Sequence, residues 1–425
     1  MNVFDRTVPP IAYPVSDFNL TKPQKYVLDN GIEVFALDAY TQPVLSMQLI
    51  FRGGKLTERV QGASYFAAKM LFEGTTQYSS AQISQMVEDM GATVYAQNAY
   101  DLFTIDAHCL SRYLPQVSQL VVEAFEEATF PEKEFEHARS VTLQNKKINN
   151  EKNNIIATRL FRQEMYGKDH PYSYDLSEEQ ISSFDRKDAL AYYQQEVSGK
   201  EFVIFIAGAV KEEEIKVLNS TFGQLKLEAS TQNVVYPDFA LTEEGYQKYQ
   251  ERDQAVQTSL RIGRSTFTLH GEDRVPFAVA NEILGGYFGS RLMRNIREDK
   301  GLTYGIYAGR YNTHDQGHFM IASDVQKKQK DLAIEEIYKE VRQLVEVPVS
   351  AEELSLVKSY MSGTFVMSIN SYMSLLDYMR QLYFNGFDFD YYDHYVSRLD
   401  AVTSEQVQEM AKKYYNGPFI EVAVG

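Results

Sequence analysis

The sequence has one cysteine, a deficit of basic residues and no long apolar run, and each shortage excludes a class of protein. With Cys109 as the single cysteine in 425 residues, no disulfide can form within the chain, and the apolar run around this thiol predicts a packed core position. No apolar run reaches the ~18 residues that a membrane-spanning helix needs. Acidic residues outnumber basic ones by 58 to 42, and the net charge of −16 opposes binding to nucleic acid or to an acidic membrane surface.

The first thirty residues contain scattered prolines and no continuous apolar segment of the kind found in a secretory signal. We therefore expect a cytoplasmic protein. A leader removed by processing would leave no trace in this sequence and stays an alternative. Hydrophobic residues make up 44% of the chain and charged residues 24%, which is typical of a globular protein with a large core.

A repeat with a period of about 218 residues organises the chain. Apolar positions that begin at Leu114 recur with the same spacing from Ile334, 220 residues later. Glu134 and Glu353, 219 residues apart, each begin a similar segment, and each half closes with a Tyr-Tyr pair and an apolar strand. A period this long indicates two domains of one fold rather than a solenoid.

Local signals then predict the fold class. Asn30-Gly31 joins two apolar runs, which is a strong β-hairpin signal because both residues tolerate positive φ. Hairpins beside helices, without strict βαβ alternation, predict an α+β fold of two tandem homologous domains, each a mainly antiparallel sheet with helices packed on one face. The predicted segments are an N-terminal domain at 1–227, a polar linker at 228–250 and a C-terminal domain at 251–425.

Residues 62–75, GASYFAAKMLFEGT, form the most informative stretch. Apolar side chains recur at i, i+3, i+4, i+7 and i+8 from Ala63, which predicts a helix with one buried face. The other face carries Tyr65, Ala68 and Lys69. This frame resembles the zinc helix of the pitrilysin/insulinase family of peptidases, in which H-x-x-E-H sits inside G-x-x-H-F-x-E-H-M-x-F-x-G-T.

The resemblance implies that the zinc chemistry has been lost. Tyr65 and Lys69 stand at the positions of the two histidine ligands, and Ala68 stands at the position of the general base. The family's third ligand, a carboxylate about 76 residues after the second histidine, falls on Asn145. A protonated ammonium cannot bind zinc, and a methyl group cannot accept a proton. We therefore expect no metal and no other cofactor in this chain, with the zinc carried by a partner.

A second motif lies in the C-terminal half, where GGYFGSRLMRNIREDKGLTYGIYAGRY contains Arg297 and Tyr304 seven residues apart. The frame resembles the family's second motif, whose arginine and tyrosine hold the substrate carbonyl and stabilise the oxyanion as it forms. A guanidinium and a phenol are donors suited to that developing charge. The alternatives are a surface ion pair of Arg297 with Glu298 or Asp299, and a buried strand position for Tyr304.

Other polar residues of this half are expected to play no part in catalysis. We predict that Arg291 and Arg294 are solvated or ion-paired. His314 and His318 are four residues apart, but Gly317 and the following apolar strand place them in a predicted hairpin loop, where this spacing does not align side chains. We therefore expect no metal pair there.

A chain without zinc ligands that keeps the Arg/Tyr pair is similar to the partner chain of heterodimeric bacterial members of the family and of mitochondrial processing peptidase. The resemblance implies the metallohydrolase fold of that peptidase, a zinc-bearing homologous partner subunit, and peptides or unfolded segments as substrates. Peptides are expected to add a strand to a sheet edge. The candidate edge residues are Ala92, Thr93, Tyr95, Gln97 and Asn98.

Three other interpretations stay open. A structural subunit would have no peptide affinity. A self-associated, stand-alone homodimer would bind peptides without cutting them. A zinc enzyme would contain stoichiometric metal.

Overall fold

The structure, a computed structural model, describes residues 13–39, 42–228, 245–312 and 317–425. The first half of the chain builds one β-sheet and the helices around it. Its strands are β1 (Gln24–Val27), β2 (Glu33–Asp38), β3 (Val44–Arg52), β4 (Thr93–Asn98), β5 (Leu102–Leu110) and β6 (Val203–Gly208). Its helices are α1 (Ala63–Met70), α2 (Ser80–Asp89), α3 (Leu114–Glu127), α4 (Glu132–Asn150), α5 (Asn153–Tyr166), α6 (Glu178–Ser183), α7 (Arg186–Tyr192) and α8 (Glu212–Thr221).

The second half builds a second sheet. Its strands are β7 (Tyr246–Gln250), β8 (Gln257–Thr266), β9 (Thr303–Asn312), β10 (Gly317–Gln326) and β11 (Ile420–Val424). Its helices are α9 (Arg274–Asn281), α10 (Lys330–Glu346), α11 (Ala351–Ser368), α12 (Tyr372–Phe384), α13 (Tyr395–Asp400) and α14 (Ser404–Tyr414), with π-helical turns at Glu282–Gly286 and Met293–Asp299. In the described ranges, no helix has both the length and the apolar character needed to cross a bilayer.

The two sheets repeat one topology. The first has the strand order β1-β2-β6-β3-β5-β4, and the second has the order β7-β11-β8-β10-β9. In each sheet one pair is parallel, β2 with β6 and β7 with β11, and the other pairs are antiparallel. The predicted duplication and the α+β class are confirmed. Strand β1 is an addition to the first sheet, formed by the predicted hairpin, in which Gly31 has a φ of 92°.

The second sheet begins inside the segment that the sequence analysis assigned to a linker. Strand Tyr246–Gln250 pairs in parallel with β11, so the second domain starts before residue 251. The polar sequence of this edge strand, YQKYQ, has no alternation of apolar and polar residues that would predict a strand, because both faces of the strand are partly exposed. Residues 229–244 of the predicted linker lie outside the described residues.

Alternation along β3 explains how the first sheet separates its two faces. Leu45, Met47 and Leu49 are buried in the core beneath α1 and α3. Ser46 and Gln48 lie between them in sequence and therefore point to the opposite face. Cys109 belongs to the same core, as predicted, and burial raises the pKa of its thiol to about 11.

Each half also covers the second face of the other half's sheet. Helix α12 packs Leu376 and Met379 against Phe205 of β6, and α5 packs Phe161 onto the second sheet. The Phe161 ring lies over Gly263 of β8, where an added Cβ would come within 3.0 Å of it.

This exchange corrects the expectation that helices cover one face of each sheet. The strand VIFIAG, β6, is apolar throughout because both of its faces are buried.

Candidate functional site

Helix α1 forms as predicted and presents the three altered positions. Phe66 and Met70 are fully buried on its core face. Tyr65 is half-buried, Ala68 is buried, and Lys69 is exposed. The Lys69 ammonium lies 5.0 Å from the centroid of the Tyr65 ring, a cation–π contact between the two side chains that stand at the histidine positions.

The carboxylate of Glu58 fixes the start of α1. It accepts hydrogen bonds from the backbone N–H groups of Gly62 at 3.0 Å and Ser64 at 2.8 Å, and from the Tyr174 hydroxyl at 2.5 Å. An anion at this position also favours the helix dipole. The Ser64 hydroxyl donates to Glu58 and accepts from the Asn98 amide at 3.0 Å, which ties the helix to the end of β4. The sequence analysis missed Glu58, whose only signal is an acidic residue shortly before a helix.

The remaining degenerate position, Asn145, lies on α4, which packs beside α1. The Tyr65 hydroxyl is 3.3 Å from the Thr142 hydroxyl, one turn before Asn145, and Asn145 itself is exposed. A phenol, a methyl group, an ammonium and an amide are not a zinc ligand set, so the residues present do not fit the ion. Within the described ranges, no group of three or more His, Cys, Asp or Glu side chains could hold a metal.

Restoring the four side chains should restore a metal site. We expect the variant Tyr65→His, Ala68→Glu, Lys69→His, Asn145→Glu to retain about one zinc ion per chain after dialysis, because two imidazoles and a carboxylate complete a catalytic-type ligand set. The unaltered chain should retain none under the same dialysis, and metal analysis by mass spectrometry checks both.

The matched control keeps Asn145 and changes the other three positions. It should lose its zinc at a lower chelator concentration than the full variant, because one ligand is missing. Equal zinc retention by both variants would show that position 145 does not face α1 as the family's third ligand does.

Strand β4, at the predicted substrate edge, is the outer strand of the first sheet. It pairs with β5, and on its other side no described strand is bonded to it. Along β4 the side chains of Thr93, Tyr95 and Gln97 are exposed, whereas Ala92 is buried just before the strand. An edge of this kind leaves backbone donors and acceptors available to a further strand. Substrate binding by this edge stays a prediction.

Arg297 and Tyr304 lie on either side of a sharp turn. Arg297 is half-buried in the π-helical turn Met293–Asp299, with its guanidinium carbon 4.4 Å from the centroid of the Phe288 ring. Gly301, at a φ of 62°, ends the turn and donates its N–H to the Arg297 carbonyl at 3.2 Å. The chain then enters β9, the edge strand of the second sheet, where the Tyr304 side chain is 91% exposed.

Neither alternative interpretation of this pair fits the structure. Within the described ranges, the side chains of Arg297 and Tyr304 take part in no hydrogen bond or ion pair. An ion pair of Arg297 with Glu298 or Asp299 is therefore not formed there. The exposure of Tyr304 excludes a buried strand aromatic. Both side chains are thus available to a group from outside the chain.

The neighbouring arginines have structural or solvent contacts, as predicted. Arg291 forms a two-pronged ion pair with Glu353, with N–O distances of 2.9 and 2.7 Å. Arg294 is exposed and lies 3.4 Å from the Gly289 carbonyl. A planar guanidinium that is already engaged in this way has few donors left for a substrate.

His318 does not lie in the predicted hairpin loop but is a buried structural residue on β10. Its Nδ1 lies 2.6 Å from the Tyr166 hydroxyl. Burial, with the charges of Arg162 and Arg310, lowers the pKa of His318 to about 3, so the ring is neutral at physiological pH. His314, which was considered with His318 as a possible metal pair, lies outside the described residues.

The fold and the site define a class of protein, a two-domain peptidase scaffold whose metal positions carry side chains that do not bind zinc. Residues 34–173 match the family described as Insulinase (Peptidase family M16), and residues 183–361 match the Peptidase M16 inactive domain. The chain belongs to this family.

Relatives and solved structures match along nearly the whole chain. A Bacillus subtilis (strain 168) protein named Uncharacterized zinc protease YmxG is 23% identical over 396 residues, which cover 92% of this chain and 95% of that protein. A crystal structure of a peptidase M16 inactive domain from Pseudomonas fluorescens has a TM-score of 0.85 at 21% identity and covers 95% of this chain and 98% of its own. A protease structure from Helicobacter pylori has a TM-score of 0.84 at 16% identity, with coverages of 96% and 100%.

Proposed function

We propose that this chain is a zinc-less subunit of an insulinase-type metallopeptidase and supplies Arg297 and Tyr304 to the zinc site of a homologous partner subunit. One observation carries the proposal. The two side chains that the family motif singles out have no hydrogen bond or ion pair within the described chain, and Tyr304 is 91% exposed. Residues kept only for the fold are expected to be buried or paired, as Arg291 is with Glu353.

The chemistry assigned to this chain is the binding of a peptide carbonyl. Stacking on Phe288 restrains the Arg297 side chain while its N–H groups stay available. Together with the Tyr304 hydroxyl they would donate hydrogen bonds to the carbonyl oxygen and bind it more tightly as it becomes an oxyanion. The partner's zinc would supply the activated water.

Strand β4 supports peptides or unfolded segments as the substrate class. Its outer edge can accept an added strand, which would bind backbone groups independently of sequence. The Asn98–Ser64 hydrogen bond fixes the end of this strand against α1. An added peptide would therefore pass beside the helix that, in zinc-bearing members, carries the metal ligands.

The exposed surface of α11 is compatible with a second candidate function, a peptide-binding homodimer. Leu356, Tyr360 and Met367 are 56%, 43% and 67% exposed, and lie on one helix at spacings that place them near one another. An apolar stripe of this kind suits contact with another protein. Either a homologous zinc-bearing subunit or a second copy of this chain could cover it.

The test compares the purified chain alone with the chain mixed into an extract of its source cells. We expect no zinc and no cleavage of quenched fluorescent peptides by the chain alone, and chelator-sensitive cleavage above the level of the extract on mixing. Extract mixed with serum albumin is the control. Cleavage by the isolated chain with stoichiometric zinc would refute the proposal. A symmetric dimer of the purified chain that binds peptides, with no increase in peptide cleavage when extract is added, would favour the homodimer.

A further inference from the structure

A cavity of about 860 Å³ lies between the two halves of the chain. Its floor is the polar face of β3, β4 and β5, the face opposite the first core. Gln48 on β3, Gln97 on β4 and Asp106 on β5 lie beside one another on this floor. Helix α12 packs on the apolar part of the same face, and its residues Asp377 and Arg380 line one side of the cavity. A volume of this size is within the ~300–1,000 Å³ typical of ligand sites.

Four arginines line this cavity. Arg380 of α12 lies 3.4 Å from the Asp377 carboxylate, and the other three come from distant parts of the sequence. Arg162 comes from α5, Arg274 from the first turn of α9 and Arg310 from β9. In the described ranges, no carboxylate lies within ion-pair distance of any of the three. Unpaired charges that are partly removed from water are costly to a fold unless an anion joins them.

The donors of these arginines are only partly used. Arg162 donates to the Tyr100 hydroxyl at 2.9 Å. Arg310 donates to the Phe267 carbonyl at 2.8 Å, the Thr268 carbonyl at 3.2 Å and the Thr266 hydroxyl at 3.4 Å, and these bonds within the described ranges leave one of its terminal nitrogens unused. Arg274 donates through one terminal nitrogen to the hydroxyl of Tyr392 at 3.2 Å. Its other terminal nitrogen is buried and has no hydrogen-bond partner in the described chain.

Arg274 acts on Arg310, and Arg162 and Arg310 both act on His318. Burial, and then the charge of Arg274, lower the pKa of Arg310 to about 10. Arg162 and Arg310 both contribute to the lowered pKa of His318, which lies in the same wall. Asp101, Asp106 and Asp377 also line the cavity, so its positive charge is concentrated at Arg162, Arg274 and Arg310, where an anionic group would relieve it.

The floor carries hydrogen-bonding groups that suit a peptide backbone. The Asp106 carboxylate already accepts from Thr104 at 3.1 Å and from Gln97 at 3.2 Å. Gln48 is 7% exposed and donates to Asp377 at 3.1 Å, while its carbonyl oxygen is buried with no partner in the described residues. An inorganic anion would fill only a small part of this space and leave the amide groups of the floor unused.

We propose that the cavity binds the C-terminal end of a peptide, with the terminal carboxylate on Arg162, Arg274 and Arg310 and the last peptide groups on Gln48 and Gln97. A carboxylate matches the guanidinium fork, and one that bridges several guanidiniums is held by charge-assisted hydrogen bonds. This binding needs neither a partner subunit nor Arg297 and Tyr304. It is therefore separable from the proposed function.

The test is fluorescence anisotropy on the purified full chain with dye-labelled octapeptides of mixed sequence. One set carries a free C-terminal carboxylate, and the other is the same mixture with a C-terminal amide. We expect the free-acid peptides to bind at least about ten-fold more tightly, since a charge-assisted contact is worth about one decade or more in affinity. Equal affinity for the two sets would overturn the proposal without any need for a variant.

Variants then locate the site. Arg162→Gln and Arg274→Gln should each weaken binding of the free-acid peptides about ten-fold and leave binding of the amidated set unchanged. Arg294 is exposed and does not line the cavity, so Arg294→Gln is the matched control and should change the affinity for neither peptide set. Free-acid binding that is lost in the Arg297→Ala, Tyr304→Phe variant but kept in Arg274→Gln would place the site elsewhere. Displacement of the free-acid peptides by inorganic phosphate at micromolar concentration would point to a phosphate site instead.

Discussion

Replacing Arg297 with alanine should lower the kcat of the two-chain peptidase, reconstituted with its zinc-bearing partner, about 10²–10³-fold. In the described chain the guanidinium contacts the Phe288 ring and has no carboxylate partner, which leaves its N–H groups available to a substrate of the proposed complex. A donor that binds the oxyanion more tightly than the ground-state carbonyl affects kcat more than KM. Steady-state hydrolysis of a quenched peptide by the purified complex measures both constants.

Two matched controls separate this effect from a general loss of charge or fold. Arg294→Ala removes an exposed arginine of the same helical segment and should change kcat less than about two-fold. Tyr304→Phe should lower kcat about 10²-fold through one lost donor, whereas Tyr307→Phe, a half-exposed tyrosine of the same strand, should not. Full activity of the Arg297→Ala, Tyr304→Phe double variant would refute the proposed function.

Replacing Phe161 with alanine should lower the free energy of unfolding of the whole chain by about 3–5 kcal/mol. Phe161 belongs to α5 of the first half, is fully buried, and packs on β8 of the second half. Removal of the Phe161 ring leaves a cavity between α5 of the first half and β8 of the second half. Because α12 makes the reciprocal contact through Leu376, we expect one cooperative transition in denaturant rather than two.

Urea unfolding followed by circular dichroism and by tyrosine fluorescence checks this expectation. Leu376 lies on α12 of the second half and packs on the first sheet. Leu376→Ala should therefore also lower the free energy of unfolding of the whole chain, by about 2–5 kcal/mol. Met367→Ala, at a 67% exposed position, is the control and should change the free energy of unfolding by no more than about 0.5 kcal/mol. Two separate transitions, with only one shifted by Phe161→Ala, would contradict the reciprocal packing.

Much of the candidate site could be predicted because its signals are local. The helical period of α1 places Tyr65, Ala68 and Lys69 on one face of a helix. Because none of these side chains is a zinc ligand, residue type alone excludes zinc binding at these positions. The seven-residue spacing of Arg297 and Tyr304 carries the resemblance to the second motif. The exposure of Tyr304, and the absence of hydrogen bonds from either side chain to the described part of the chain, could not be predicted, because these depend on how the second sheet packs.

The cavity and its arginines had no sequence signal. Arg162, Arg274 and Arg310 belong to two helices and a strand that are far apart in the chain, so no period or motif joins them. Each taken alone is an ordinary charged residue that would be expected on a solvated face. Only the packing of α5 against the second sheet brings the first of them to the other two.

The sequence by itself determined the duplication, the β-hairpin at Asn30-Gly31, the amphipathic helices and the loss of the zinc ligands. These follow from residue type and spacing along a few turns or strands, where backbone geometry leaves few choices. The tertiary structure decided that α5 and α12 each pack on the sheet of the other half, that Tyr246–Gln250 forms a strand, and that four arginines line one cavity. Those features depend on contacts between residues far apart in sequence, which form only when each sheet buries its second face.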